Sequence, residues 1–243
     1  MNIVLIHGAF HDGRAWDRVV AHLKDRGVAN VWAPTIPGHG PHVPRNLSHD
    51  QMVAGLVDFI TQHDLDDVVL VGHSFGGSII MAVAQEVSER VAATIFANAV
   101  VPVHGQELID LNADTSRLQH MFVFHEDGSW SPTYQTWRAA FIQDSTEAVA
   151  ALAFAELTPE GPGSLTWRAD VQRFFDLRLP AGYIHMTDDT LFAWKEFWER
   201  LHEPKVVEIP GSHEVMYSAP ERMADAILEA IPDGLKASLL SAA

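Results

Sequence analysis

Six short runs, Asn2 to Ile6, Asn30 to Ala33, Asp67 to Val71, Ala93 to Ala97, Ala181 to Met186 and Lys205 to Ile209, are apolar along most of their length, and longer segments of helical period lie between them. A strand that is apolar on both faces must be covered on both, as in a parallel sheet flanked by helices. The pattern predicts an α/β fold of about six, mostly parallel strands. At 243 residues the chain fits one large domain carrying an insertion.

The intervening helices carry start and stop signals. Trp16, Val19, Val20 and Leu23 share a face before Gly27, a natural left-handed stop. Ser48-His49-Asp50-Gln51 reads as a capping box, with Leu47 and Met52 placed as a staple and Val53, Leu56, Val57 and Ile60 on the buried face. Ser218-Ala219-Pro220-Glu221 reads as a second box opening a last helix that buries Met223, Ile227, Leu228 and Ile231 and stops at Pro232. Leu235 to Ala243 reads as a loosely docked tail.

Between Pro102 and about Pro180 the alternation breaks. Helical fragments and a Gly161-Pro162-Gly163 loop occur there, with no convincing strand. The expected organisation is therefore a core formed by residues 1–101 and 181–243, with residues 102–180 as an inserted helical cap. Trp130, Trp137, Trp167, Phe122, Phe124, Phe141 and Phe154 concentrate in that stretch, and packing is the expected role for each.

Composition removes several function classes. With Lys+Arg 16 against Asp+Glu 32, a net charge of −16 repels phosphate backbones and anionic lipid surfaces, so neither nucleic acid nor membrane is an expected partner. Zero cysteines excludes disulfides, thiolate metal sites and cysteine nucleophiles. Ile3-Val4-Leu5-Ile6 is too short for a leader and no apolar run reaches the roughly 18 residues of a membrane span, so the cytoplasm is the expected location. His213-Glu214-Val215-Met216-Tyr217 opens like a zinc helix but has Tyr where a second histidine belongs, and no phosphate-binding glycine loop occurs. Neither a metal nor another cofactor is expected.

One motif carries chemistry in its placement. Gly72-His73-Ser74-Phe75-Gly76 follows an apolar run and opens the apolar helical segment Ser78 to Val87, the context in which Gly-x-Ser-x-Gly forms a nucleophile elbow. Chance supplies about 0.1 such patterns in this length; the strand-to-helix placement and the further Gly77 raise its weight. A serine on so sharp a turn requires small residues two before and two after it. His7-Gly8-Ala9-Phe10 follows the first run, where a turn can aim a backbone N–H at the serine, and the Ala9 and Phe75 N–H groups together would stabilise a tetrahedral oxyanion.

A general base must come from elsewhere in the chain. Of the 14 histidines, His213 stands in Gly211-Ser212-His213-Glu214 just after the last strand, and it satisfies the order serine, acid, histidine. His7, His11 and His73 are expected to be structural or pocket-lining. The acid should end the preceding strand, where Asp188 and Asp189 stand side by side and spacing alone does not separate them.

The segments His7 to Trp16, Val71 to Gly77 and Gly211-Ser212-His213, with Tyr183 to Asp189 in the position of a Tyr-Ile-x-x-Thr-x-Asp stretch, resemble the α/β-hydrolases, most closely their small capped branch of methyl esterases and hydroxynitrile lyases. The resemblance spans nearly the whole chain. It implies a six-stranded core with a helical cap, Ser74 as nucleophile, His213 as base, Asp189 rather than Asp188 as acid, Ala9 and Phe75 as oxyanion donors, and Phe10 and Phe75 at the substrate. Lyases of this branch replace the glycine that stands here as Gly8, and some carry Lys where this chain has Glu214; both departures favour hydrolysis. Thr35 occupies a loop position where the family commonly has Asp. The expected activity is a cofactor-free serine hydrolase cleaving a small, largely apolar ester through an acyl-enzyme. The alternatives are a lyase-like reaction at the same site, or a ligand receptor with a relic triad.

Overall fold

The protein is described here as a computed structural model covering residues 1–111 and 121–240. The six expected strands all form: β1 (Asn2–Ile6), β2 (Val31–Trp32), β3 (Val68–His73), β4 (Val91–Ala97), β7 (Ala181–Met186) and β8 (Lys205–Ile209). They join in the order β2-β1-β3-β4-β7-β8, and every neighbouring pair is parallel. All six residues of β3 are buried, as a central strand covered on both faces requires.

Register decides where the site can be. Ile6 lies beside Gly72, His73 beside Ala97, Ala97 beside Ile184, and Met186 beside Ile209. The C-terminal ends of five strands therefore share one edge of the sheet, and the loops carrying Ala9, Ser74, Asn98, Asp189 and His213 leave from it. Crevices beyond the carboxyl ends of parallel strands are where open α/β sheets bind ligands.

Helices α1 (Asp17–Asp25), α2 (His49–Gln62) and α3 (Gly76–Glu86) cover the sheet. At the start of α2 the first capping box closes in both directions: Ser48 Oγ accepts from the Gln51 N–H at 3.3 Å, and the Gln51 side chain accepts from the Ser48 N–H at 2.9 Å. The second expected box does not form. Ser218 belongs to the preceding turn Val215–Ser218, and its hydroxyl donates to Asp144 instead at 3.0 Å. Pro220 at the first turn, with its preset φ and no N–H to satisfy, starts the helix Pro220–Ala230 without a side-chain cap. Beyond Pro232 the chain is again helical over Asp233–Leu240, a helix the sequence reading had not placed in the tail; residues 241–243 lie outside the described ones.

The long excursion between β4 and β7 contains the helices Glu147–Glu156 and Gln172–Leu177 and several shorter turns. It is not purely helical, as the sequence had suggested. Strands β5 (Phe122–Phe124) and β6 (Trp130–Pro132) form a two-stranded antiparallel hairpin, turned near Gly128 at φ +81. Each strand is only three residues long, and Val123 and Phe124 are exposed, so neither length nor alternation announces them. Residues 112–120 of the expected cap lie outside the described residues. No helix among the described residues is long and apolar enough to cross a membrane.

Close backbone contact holds α3 against the sheet edge. A β-carbon on Gly77 would stand 2.2 Å from the Val100 carbonyl oxygen, a contact that no side-chain motion relieves. Gly77→Ala should lower the unfolding free energy by about 1–3 kcal/mol, whereas Gly234→Ala, where nothing lies within 4 Å, should be neutral or slightly stabilising; urea titration of both variants checks the contrast.

Candidate active site

Ser74 stands at the turn from β3 into α3 with φ +53, a left-handed backbone that a β-carbon resists. The surrounding chain over-determines it. The Ser74 N–H donates to the Ala97 carbonyl at 3.3 Å, and its own carbonyl accepts from the N–H groups of Gly77 at 3.1 Å and Val100 at 3.0 Å. Glycine is needed on both sides because a β-carbon on Gly72 would lie 2.6 Å from the Gly76 carbonyl oxygen, and one on Gly76 would lie 2.7 Å from that of His7. Steric crowding thus presents the serine at the crest of the turn.

The turn after β1 closes over the same place. Among the described residues neither the Ala9 N–H nor the Phe75 N–H, the latter at the N-cap of α3, finds an acceptor within the protein. Both stay free for a ligand, the Phe75 group at the positive end of a helix. A β-carbon on Gly8 would stand 2.9 Å from the Ser74 β-carbon and 2.9 Å from His73 Nδ1. The glycine keeps this corner open. Thr35, where an aspartate had been the family expectation, accepts from the Gly13 N–H at 3.0 Å and so ties the β1 turn to the loop after β2.

His213 and Asp189 meet directly. His213 Nδ1–H donates to Asp189 Oδ2 at 2.6 Å, with the residues 2% and 4% exposed. Asp188 faces elsewhere: its carboxylate accepts from the Gly211 N–H at 2.9 Å. Asp189 is further held by Asn98 Nδ2–H at 2.7 Å and by the Leu191 N–H at 2.9 Å. Burial drags the His213 pKa down, but the adjacent Asp189 carboxylate outweighs it and leaves the imidazole above its usual 6.5. Burial likewise pushes Asp189 up, and its contacts with His213, Leu191 and Asn98 bring it below the ordinary carboxylate value. The pairing places the ring proton on Nδ1 and leaves Nε2 as an acceptor. No hydrogen bond joins Ser74 Oγ to this ring among the described residues; the link is through His73, whose ring lies 4.5 Å from that of His213 and whose Nε2–H donates to the His213 carbonyl at 3.0 Å.

His7, His11 and His73 are all buried, and none lines the cavity described below. Burial lowers His73 to about 3, so it stays neutral. Glu214 also turns away from the cavity: its carboxylate pairs with His11 Nε2 at 3.2 Å, and His11 holds it at about 2 in spite of burial. The contrast drawn from sequence between Glu214 and a lyase lysine therefore concerns a side chain outside the cavity wall. His73, His213 and Glu214 bring potential ligand atoms within 4.8 Å of one another, but His213 is engaged with Asp189, Glu214 with His11 and His73 with a carbonyl.

Three contributors had no sequence signal. Asn98, at φ +32 just beyond β4, reaches Asp189. Asp144, in the excursion, accepts from the Ser212 N–H at 3.1 Å and from the Ser212 hydroxyl, and so braces the loop that carries His213. Glu160 is fully buried and accepts from the Phe10 N–H at 3.0 Å. Only a partner distant in sequence gives any of them a function, so no local pattern marks them.

Above Ser74 lies a cavity of about 570 Å³, within the range of small-molecule pockets. Ala9, Phe10, Phe75 and Ser74 line its floor, and Phe122, Phe124, Trp130 and Phe141 of the excursion line it from above. Those four line the cavity as well as pack, Phe122 and Trp130 against Phe10, and Phe141 in the core; Trp137 is wholly buried, Trp167 stacks on His49 at 3.7 Å, and Phe154 packs on Tyr134. Among the described residues, Ser74 and Ser164 are the lining residues with polar side chains, and none of the lining residues is charged.

A family model described as the alpha/beta hydrolase family matches residues 3–226. Among curated proteins, a pyrethroid hydrolase from Sphingobium wenxiniae is 29% identical, with 94% of this chain and 86% of that protein aligned. A carbendazim-hydrolysing esterase from Nocardioides is 34% identical over 45% of this chain, and the match spans 46% of that protein's length. Among solved structures, an extracellular α/β-hydrolase from a Paenibacillus species, described as sharing structural and functional homology with tobacco salicylic acid binding protein 2, superposes with a TM-score of 0.86 at 27% identity, covering 96% of this chain and all of that one. A pyrethroid hydrolase from Sphingobium faniae superposes at 0.79 with 25% identity, covering 93% and 95%.

The two opposed influences on His213 can be separated. In a histidine NMR titration the His213 ring should protonate with a midpoint above 6.5 in the native protein. Asp189→Asn removes the larger of the two carboxylate charges that raise it and leaves burial opposed only by Glu214, so the midpoint should drop; an unchanged midpoint would show that the Asp189 carboxylate does not govern the ring.

Proposed function

The chain belongs to the α/β-hydrolase family, and from that premise we propose that it is a serine carboxylic ester hydrolase acting on a small-molecule, largely apolar ester without a cofactor. Ser74 is the nucleophile, His213 the general base, Asp189 the acid that orients it, and the Ala9 and Phe75 N–H groups are the oxyanion donors. The observation that carries this reading is the buried Asp189–His213 hydrogen bond of 2.6 Å at the sheet edge from which the strained Ser74 turn also leaves. The names of the relatives, a carbendazim-hydrolysing esterase and a pyrethroid hydrolase, point the same way.

The steps follow from that arrangement. An ester enters the apolar cavity with its carbonyl over Ser74, and residues 102–180 act as the cap that keeps water away from it. As Ser74 Oγ attacks the carbonyl carbon, its proton passes to His213 Nε2, a contact that closes in the substrate complex. Asp189 stabilises the imidazolium so formed while remaining ionised itself. The carbonyl oxygen becomes an anion facing the Ala9 and Phe75 N–H groups, which need no reorganisation to receive it; one such donor contributes on the order of 100- to 1000-fold in rate. His213 then gives its proton to the leaving alcohol. Water attacks the acyl-Ser74 by the same route in reverse, and the acid departs. Phe10 and Phe75 contact the substrate, and the apolar side chains that make up most of the wall among the described residues favour neutral acyl and alcohol groups over anionic ones.

Ser74→Ala should abolish turnover of a p-nitrophenyl ester by a factor of about a thousand or more while leaving the circular dichroism spectrum and melting temperature unchanged; substantial residual turnover in that variant would remove Ser74 from its role. In the native enzyme kcat/KM should fall on the acid side with a midpoint above 6.5, because His213 must be neutral to accept the proton and its pKa is raised. A rate independent of pH between 5 and 8 excludes a histidine base.

A further inference from the structure

The turn that carries the Ala9 donor is gripped from the excursion at the very next residue. Phe10 has φ +70, left-handed like Ser74, and both of its backbone polar groups are engaged by one strip of chain: its N–H donates to Glu160 Oε2 at 3.0 Å, and its carbonyl accepts from the Thr158 N–H at 2.8 Å. That strip is itself anchored, since Glu160 exchanges two backbone hydrogen bonds with Trp130 of β6, at 2.8 and 2.9 Å. The Phe10 ring packs against Trp130 and Phe122, at 4.7 and 5.6 Å.

A carboxylate is an unusual choice for this grip. Glu160 is fully buried, and it lies one peptide from the group assigned to receive a developing negative charge. Unpaired, it would oppose that charge at short range in a poorly screened interior. It is paired: His39, 4% exposed and on the loop after β2, donates from Nε2 to the same Oε2 at 2.9 Å, while its Nδ1 lies 3.4 Å from the Pro37 carbonyl. Two nitrogens each facing an acceptor call for the doubly protonated ring. His7, whose ring lies 5.1 Å away, is the titratable neighbour; its Nε2 accepts from the Ile36 N–H at 3.0 Å and its Nδ1 faces the Gly8 carbonyl at 2.9 Å, so it is neutral and adds no charge. Phe75, the residue of the second donor, stacks on His39 with ring centroids 6.3 Å apart.

We propose that Glu160 and His39 are a positioning pair for the oxyanion site: Glu160 fixes the Ala9–Phe10 peptide through the Phe10 N–H, and His39 cancels the charge that this fixation brings beside the oxyanion. The proposal rests on the esterase reading above. Glu160 touches neither substrate nor reacting atoms, and its effect travels through the peptide it holds. The pair also makes the oxyanion site a joint product of three segments remote in sequence, the β1 turn, the β2 loop and the strip at 158–160.

The test separates charge from contact. His39→Gln keeps an N–H for Glu160 and removes only the positive charge, and Glu160→Gln in that background removes the negative one. Each full-length variant is assayed for kcat, KM and melting temperature on a p-nitrophenyl ester, with active sites counted by the p-nitrophenol burst so that any unfolded fraction drops out. In His39→Gln, kcat per titrated site should fall roughly tenfold or more, at little change in KM, because the lost stabilisation belongs to the transition state. The double variant His39→Gln with Glu160→Gln should recover most of that loss. A purely structural pair would instead alter melting temperature and burst amplitude and leave kcat per site as it was. If His39→Gln retains kcat within twofold, or the double variant is as slow as the single, the proposal is overturned while the triad stands. A native enzyme without Ser74-dependent turnover overturns both.

Discussion

Ser74 occupies a backbone conformation that costs on the order of 1–3 kcal/mol, and most of what surrounds it exists to hold it there. Its carbonyl is bound by two N–H groups and its own N–H by the end of β4. Gly72, Gly76 and Gly77 are required because the chain passes within contact distance of itself and of the β1 and β4 ends. The same crowding that strains the serine also exposes it, since a side chain at the crest of so tight a turn has nowhere to point except outward. The free Phe75 N–H is a second product of that turn, left without an intrahelical partner because α3 begins immediately after it.

The rest of the site depends on parallel register. Once β1, β3, β4, β7 and β8 end at one edge, their loops converge whatever their separation in the chain, and Asp189 and His213 meet after leaving neighbouring strands. Burial alone would lower the His213 pKa and raise that of Asp189. Together each reverses the other's desolvation, because two opposite charges at hydrogen-bond distance in a poorly screened interior attract more strongly than either is penalised. Glu214, one residue further on, turns out of the cavity to meet His11 at 3.2 Å, and Asp144 braces the loop through Ser212. The histidine loop is thus held on three sides without the cavity wall losing its apolar character.

Much of this was legible in the chain. All six sheet strands and the box at Ser48 were readable, because strand burial and helix capping are encoded within a handful of neighbouring residues. The serine turn was equally local. The box expected at Ser218 failed for a reason no local pattern contains: its hydroxyl is taken by Asp144, 74 positions away. The β5–β6 hairpin was missed because its strands are too short for a period and are stabilised by packing Phe122 and Trp130 on Phe10. Assigning cap aromatics to cavity or core was likewise out of reach of a local pattern, since Phe141 and Trp137 stand four residues apart and stack on each other, yet Phe141 also lines the cavity and Trp137 does not.

The sequence by itself determined the layered α/β architecture, the strained serine and the chain order of the candidate triad, because each depends on sterics or periodicity within a short window. Only the tertiary structure decided that Asp189 rather than Asp188 meets His213, which aromatic rings enclose the cavity, and that Glu160 and His39 close over the turn beside Ala9. Those choices depend on contacts between segments up to 150 residues apart, where the energy belongs to a pair and neither member carries a mark of it alone.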